Sequence, residues 1–226
     1  MKFAKEAWVF VLPFLFLAGL LFVLGWPGWG TGALFAGLLV LLFFRDPKRS
    51  YEGDAEYVLA PADGLITRID VIEDPEMGPG RYHRIVTFLS VFDIHVQRVP
   101  VAGEVIASRY AAGRKVAAFR EDAGDVNEKH LSVLRRPSGD LVGVRQIAGL
   151  LARRVVCYLK EGDHVHRGQL MGLIKFSSRV DLLIPESYRV LVKKGDRLKN
   201  GATPVAMPAA LAGASDQAGG SGKESR

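Results

Sequence analysis

A single cysteine, Cys157, is present in 226 residues. No intrachain disulfide can form, which suits a reducing compartment. It sits in the apolar run Val155-Val156-Cys157-Tyr158-Leu159, where nothing nearby favours a thiolate, so it reads as a buried strand residue. Zinc-ligand spacing, an aromatic RNA-binding signature and a helix-turn-helix pattern are all lacking, which leaves metal and nucleic acid without support. The net charge of +6 then points either to anionic lipid headgroups or to scattered solvated side chains.

Charge is also missing from one long stretch. Between Ala7 and Phe44 no residue is charged, whereas the chain after Arg45 has an ordinary soluble mixture. As one straight helix this stretch would span roughly 57 Å, against a hydrocarbon core about 30 Å thick. Two helices fit if the chain turns back at Trp26-Pro27-Gly28-Trp29-Gly30, where proline and glycine break the helix and tryptophans suit an interface. Residues 1–44 are therefore expected to be a membrane anchor, a transmembrane or re-entrant hairpin. Lys2 and Lys5 precede it and Arg45, Lys48 and Arg49 follow it. The positive-inside tendency places both flanks, and the body that follows, on the cytoplasmic side of the cell membrane.

Residues 45–208 lack convincing helical stripes. Short apolar segments broken by glycine and proline (Gly64 to Ile69, Arg84 to Leu89, Val155 to Leu159, Val180 to Ile184, Val190 to Val192) predict a mainly β domain. The body also echoes itself. Lys160-Glu161-Gly162-Asp163 matches Lys193-Lys194-Gly195-Asp196, and Pro61-Ala62-Asp63-Gly64 matches Pro100-Val101-Ala102-Gly103, each pair reading as turns at strand ends. Such turns resemble those of the barrel-sandwich hybrid of lipoyl carrier domains, although no carrier lysine stands at a Met-Lys-Met tip. From 209 to 226 the composition predicts a disordered tail.

Three clusters carry candidate chemistry. Asp63 lies in a turn, where an aspartate ordinarily bonds the local backbone. Asp93, His95 and Gln97 alternate with Phe92, Ile94 and Val96, which predicts one polar strand face with a histidine suited to proton transfer. Ser177 and Ser178 follow Phe176 and precede Arg179-Val180-Asp181, in what reads as a turn.

In order and spacing these clusters resemble the phosphatidylserine decarboxylase proenzyme family, in its short prokaryotic, pyruvoyl-dependent branch. The resemblance runs from about Arg45 to Met207, through Asn127-Glu128, Gln146-Ile147-Ala148-Gly149 and Arg153-Arg154 to Ser178-Arg179-Val180-Asp181. It implies a zymogen that cuts itself between Ser177 and Ser178. Ser178 would become a covalent pyruvoyl cofactor that forms a Schiff base with the amine of phosphatidylserine and releases phosphatidylethanolamine. It further implies Asp63 in self-cleavage, His95 as proton carrier, no metal, and α and β chains that stay associated, as a homo-oligomer. Ser177 stands where members commonly carry glycine, and scission between Phe176 and Ser177 is the alternative by position. Longer members have a second histidine where this chain has Arg98, so either His95 would do both proton jobs or His83 or His130 would assist. A membrane-tethered lipoyl-like adaptor without activity and a processing-defective family member are the rival readings.

Overall fold

The computed structural model describes residues 2–113, 126–149, 154–175 and 178–211. The N-terminal piece comprises β1 (Lys2–Phe3), α1 (Ala7–Val23), α2 (Pro27–Phe43) and β2 (Arg45–Asp46). The body begins with β3 (Val58–Leu59), β4 (Gly64–Glu73), β5 (Arg81–Leu89), β6 (Val96–Arg98), β7 (Gly103–Ala111), β8 (Lys129–Arg135) and β9 (Leu141–Ala148). It continues with β10 (Val155–Cys157), β11 (His164–Val165), β12 (Leu170–Ile174) and β13 (Ser178–Pro185). The last strands are β14 (Tyr188–Val190), β15 (Arg197–Leu198) and β16 (Pro204–Pro208). Residues 209–211, assigned above to a disordered tail, are helical and are tied down by Ala209 N–H donating to Ser187 O at 3.3 Å. The rest of that tail lies outside the described residues.

The body is mainly β. Its largest sheet has the order β11-β7-β8-β9-β13-β5-β4-β15, antiparallel throughout. Three-stranded sheets β10-β12-β6 and β14-β16-β3 complete it. One face of the large sheet covers the main core, with Ile66, Ile85, Leu89, Val144, Val180 and Leu182. The other carries a smaller cluster that includes Leu131, Val133 and Leu183.

The sequence echo is a structural one. Asp163 and Asp196 each accept the backbone N–H three residues upstream, at 2.8 and 2.9 Å. Gly162 N–H donates to Val105 O and Gly195 N–H to Ile66 O, so each turn clamps onto the equivalent strand of its own repeat. Gly64 and Gly103 open those strands, and a Cβ on either would sit 2.2 Å from a cross-strand carbonyl oxygen, of Phe88 or Arg135. Both strands then bulge two residues on, at Ile66/Arg68 and Val105/Ala107, which adds twist and curls the sheet.

The anchor region forms a helical hairpin, but the expectation of spanning helices is not supported. Each helix has 17 residues, about 26 Å, and no helix among the described residues is long and apolar enough to cross a membrane. Pro27 starts α2 at a position that needs no N–H. Small residues, Ala18, Gly30, Ala33 and Gly37, form the buried seam. Trp8, Phe16, Val23, Trp29 and Phe35 point outward and are exposed. At its foot β1 pairs with β2, and Phe43 and Phe44 pack on Leu173 of the body.

Candidate active site

Ser178 opens β13 and is hydrogen-bonded into the sheet between Leu89 of β5 and Ala148 of β9. It is a strand residue, not the turn residue read from the sequence. Strand alternation gives it the same face as Val180, toward the main core, and it is fully buried. Its Oγ has no hydrogen-bond partner among the described residues, a condition that ordinarily costs about 1–3 kcal/mol. The far strand end is pinned: Asn127 Nδ2 donates to Ala148 O at 2.7 Å, and Ala148 N–H donates to Glu128 O at 2.9 Å. Glu128 Oε1 also accepts Val155 N–H at 3.0 Å. Ser177 and Arg153 lie outside the described residues.

His95 is buried as well, 1% exposed, and is capped by the Phe43 ring with centroids 4.1 Å apart. Its Nδ1 lies 2.9 Å from Asp93 O. A carbonyl only accepts, so Nδ1 carries the proton and Nε2 presents a bare lone pair. That Nε2 is buried without a partner among the described residues. Loss of hydration pushes the pKa down to about 4, although the Asp93 carbonyl opposes the shift. The imidazole is therefore neutral at pH 7 and is an acceptor of protons. Ile174 N–H donates to His95 O at 3.2 Å. Ile174 precedes Ser178 by so few residues that chain length alone keeps the two within about 14 Å.

The expected polar strand face over Asp93, His95 and Gln97 is not formed. Only Val96–Arg98 is strand. Asp93 belongs to a turn in which its carboxylate accepts Ser90 N–H and Oγ–H at 2.8 and 2.7 Å, while Arg197 reaches it at 3.0 Å. The turn wins because the side chain satisfies the backbone locally. Gln97 does face inward: its Nε2 donates to His95 O at 2.8 Å, and its Oε1 accepts Gln146 Nε2 at 2.9 Å. Gln146 stands two residues before Ala148 on β9, and its own Oε1 is buried without a partner. Ser178 Oγ on β13, Gln146 Oε1 on the adjoining β9, and His95 Nε2, whose residue is joined to Gln146 through Gln97, are thus unsatisfied atoms among the described residues, with room in their chemistry for a reacting group.

Asp63 is not bonding its local backbone. Both its oxygens are held by Arg49, one at 2.9 Å, and Oδ1 also accepts Asn200 N–H at 2.8 Å. Asn200 Nδ2 donates to Val96 O at 2.7 Å, which ties this group to β6. No hydrogen bond joins Asp63 to His95; the carboxylate acts on the ring only through its charge. Arg98 pairs with Asp46 and donates to Gly168 O at 2.9 Å, in a structural role. His83 is exposed to a backbone contact with Glu186 O at 3.2 Å, on the far part of β5, and is not brought to Ser178. His130 lies across from Gln146 in β8 and contacts Ser108 Oγ at 2.9 Å, its pKa lowered by burial. Arg179 and Asp181 form a buried two-bond pair, at 2.6 and 2.7 Å, on the opposite face from Ser178. Cys157 lies in β10 with its thiol pKa raised by burial.

The family model for phosphatidylserine decarboxylase matches residues 36–206. The chain belongs to the phosphatidylserine decarboxylase family. It is 42% identical over 205 residues to the phosphatidylserine decarboxylase proenzyme of Symbiobacterium thermophilum, covering 89% of this chain and 94% of that one. It is 44% identical over 180 residues to the proenzyme so named from Mycobacteroides abscessus, covering 78% and 76%. With the proenzyme of Wolbachia it shares 36% over 206 residues, 89% of either chain. The family match runs from within α2 to β16 and so takes in every site residue described above.

Several of those residues were missed as functional candidates by sequence reasoning. Arg49 and Asn200 converge on Asp63 from opposite ends of the chain, and Gln146 meets Gln97 across two sheets. Only a glutamine amid an apolar strand, in Val144-Arg145-Gln146-Ile147-Ala148, hinted that something buried needed an amide.

Proposed function

We propose that this chain is an enzyme that decarboxylates phosphatidylserine to phosphatidylethanolamine, after cutting its own backbone between Ser177 and Ser178. The carrying observation is the buried Ser178 Oγ, without a partner, at the family's conversion position. The neutral His95 Nε2 suits removal of its proton. The freed Oγ attacks the carbonyl carbon of Ser177, and the C–N bond breaks as the Ser178 nitrogen takes a proton. The ester so formed eliminates to a dehydroalanine-ended chain and a carboxylate at Ser177. Water then replaces the nitrogen, ammonia leaves, and a pyruvoyl group caps residue 178.

The residues fit the making of such a group: among the described residues, Ser178 Oγ–H is a buried donor without a partner, His95 Nε2 a buried acceptor without one, and Gln146 Oε1 a second acceptor on the neighbouring strand. When present, the group supplies an electrophilic carbonyl that accepts the electrons released with carbon dioxide. His95 holds or passes the proton, Gln146 offers an acceptor to a substrate amine, and Phe43 keeps water from the imidazole. Because β13 lies between β5 and β9, chain 178–226 would remain bound to chain 1–177 after scission.

The hairpin supports membrane placement as a re-entrant element. Its large side chains face outward and its small ones inward, which suits lipid contact around a close helix pair. The flanking Lys2, Lys5, Lys48 and Arg49 favour the cytoplasmic face. Scission of purified protein, followed by electrophoresis with Ser178→Ala as control, tests the reading. One uncut chain in active protein overturns it.

A further inference from the structure

A cavity of about 760 Å³ opens at the foot of the hairpin, where β1 and β2 meet β6 and β12. Five cations line it: Lys2, Lys5, Lys48, Arg49 and Arg98, against one acid, Asp46. Asp46 is taken by Arg98 and Asp63 takes Arg49. Lys2, Lys5 and Lys48 are left without a carboxylate within ion-pair reach among the described residues. Lys5 is instead held over the Tyr158 ring, 4.9 Å from its centroid, and the hydroxyl of that tyrosine is engaged by Glu6 at 2.7 Å. Arg98 has its Nε buried without an acceptor, so one wall also has a donor to spare. Phe3, Leu170 and Leu173 make the remaining surface apolar. Strand β6 divides this cavity from the buried site. Val96 and Arg98 line the cavity, and Gln97, alternating with them, bonds Gln146 on the other side.

We propose that this cavity binds the phosphodiester of an anionic phospholipid, with Lys2, Lys5 and Lys48 supplying the attraction and Phe3 and Leu173 meeting the glycerol end. Three uncompensated lysines make a cationic site that is incomplete without an anion. A wall that is both cationic and apolar suits a phosphodiester on a lipid better than a free, fully hydrated phosphate. Its position at the root of an outward-facing apolar hairpin puts it at headgroup depth when the hairpin enters a bilayer. The proposal deepens the lipid reading above, but its test is separable, because phosphatidylglycerol has neither amine nor carboxylate and cannot be decarboxylated.

The experiment measures binding of short-chain phosphatidylglycerol, below its micellar concentration, to the full-length protein and to the variant Lys2→Gln/Lys5→Gln/Lys48→Gln. Inorganic phosphate is run in parallel, and thermal unfolding and self-scission serve as controls of folding. Each lysine is expected to contribute about fivefold, so the triple variant should bind about 100-fold more weakly. Wild-type binding should also fall with added salt. Phosphate binding as tight as lipid binding overturns the lipid assignment, and equal binding by wild type and a folded triple variant overturns the site. Competition kinetics then name the source. If phosphatidylglycerol raises the KM for short-chain phosphatidylserine and leaves kcat alone, the cavity holds the substrate's own phosphate. If it changes kcat without competing, the cavity holds a second lipid.

Discussion

Acid should destabilise this protein through His95 in a way that can be calculated. The ring is buried and its pKa is lowered from 6.5 to about 4 by desolvation, so the folded state favours the neutral form. Below pH 6.5 the unfolded chain takes up a proton that the folded chain refuses, and stability falls as pH falls until the folded pKa is reached. Linkage across pKa values of about 4 and 6.5 gives a loss of about 2 kcal/mol between pH 7 and pH 5, and about 3 kcal/mol by pH 4. The measurement is denaturant unfolding at pH 7 and pH 5 in one detergent. Ser178→Ala keeps the chain uncut and the unfolding unimolecular, and the comparison variant adds His95→Gln. Carboxylates contribute to the acid slope of both proteins, so the difference between the slopes isolates His95. Equal slopes would refute the buried, neutral imidazole and with it the base assigned to scission.

The same lone pair predicts a scission rate that is flat from pH 8 to about pH 5 and falls only as pH approaches 4, followed in freshly translated chain; a midpoint near 6.5 would count against it. Phe43→Ala should wet the ring and move that acid limb upward, which the same time courses read. Asp63→Asn, leaving Arg49 mostly buried without its anion, should slow scission at least about tenfold and cost about 3 kcal/mol in denaturant titration. Gln146→Leu should leave scission intact and lower turnover about 10²-fold, measured as carbon dioxide release. Replacing residues 12–38 by a short linker, which keeps Phe43 and Phe44 in place, should preserve scission and lower activity on vesicles far more than on short-chain substrate.

The mainly β body was legible because its strands are short, apolar and punctuated, and the repeated Gly-Asp turns proved to be repeated clamps on β4 and β7. The family resemblance was legible for the same reason, since its motifs sit at strand ends with fixed spacing. Local chemistry misled at two places. Phe92 to Gln97 alternates like a strand, yet the Asp93 carboxylate closes a turn on Ser90 and wins locally. Ser177-Ser178 looks like a turn, but Ser178 is held in the sheet by Leu89 and Ala148, residues distant in sequence. The hairpin was visible in composition, and so was the shortness of its arms: the break at Trp26-Pro27-Gly28 leaves two helices of 17 residues. Arg49, Asn200 and Gln146 could not be paired with Asp63 or Gln97 from sequence, because nothing in a one-dimensional pattern brings such separated positions together.

Intact-mass spectrometry of freshly purified, active protein bears most directly on the conversion of Ser178. The expected result is two chains, 1–177 and 178–226, the second lighter by one ammonia than the same chain beginning with serine, and neither appearing in Ser178→Ala. A single full-length mass in active protein, or a second chain that begins with an intact serine, would contradict it.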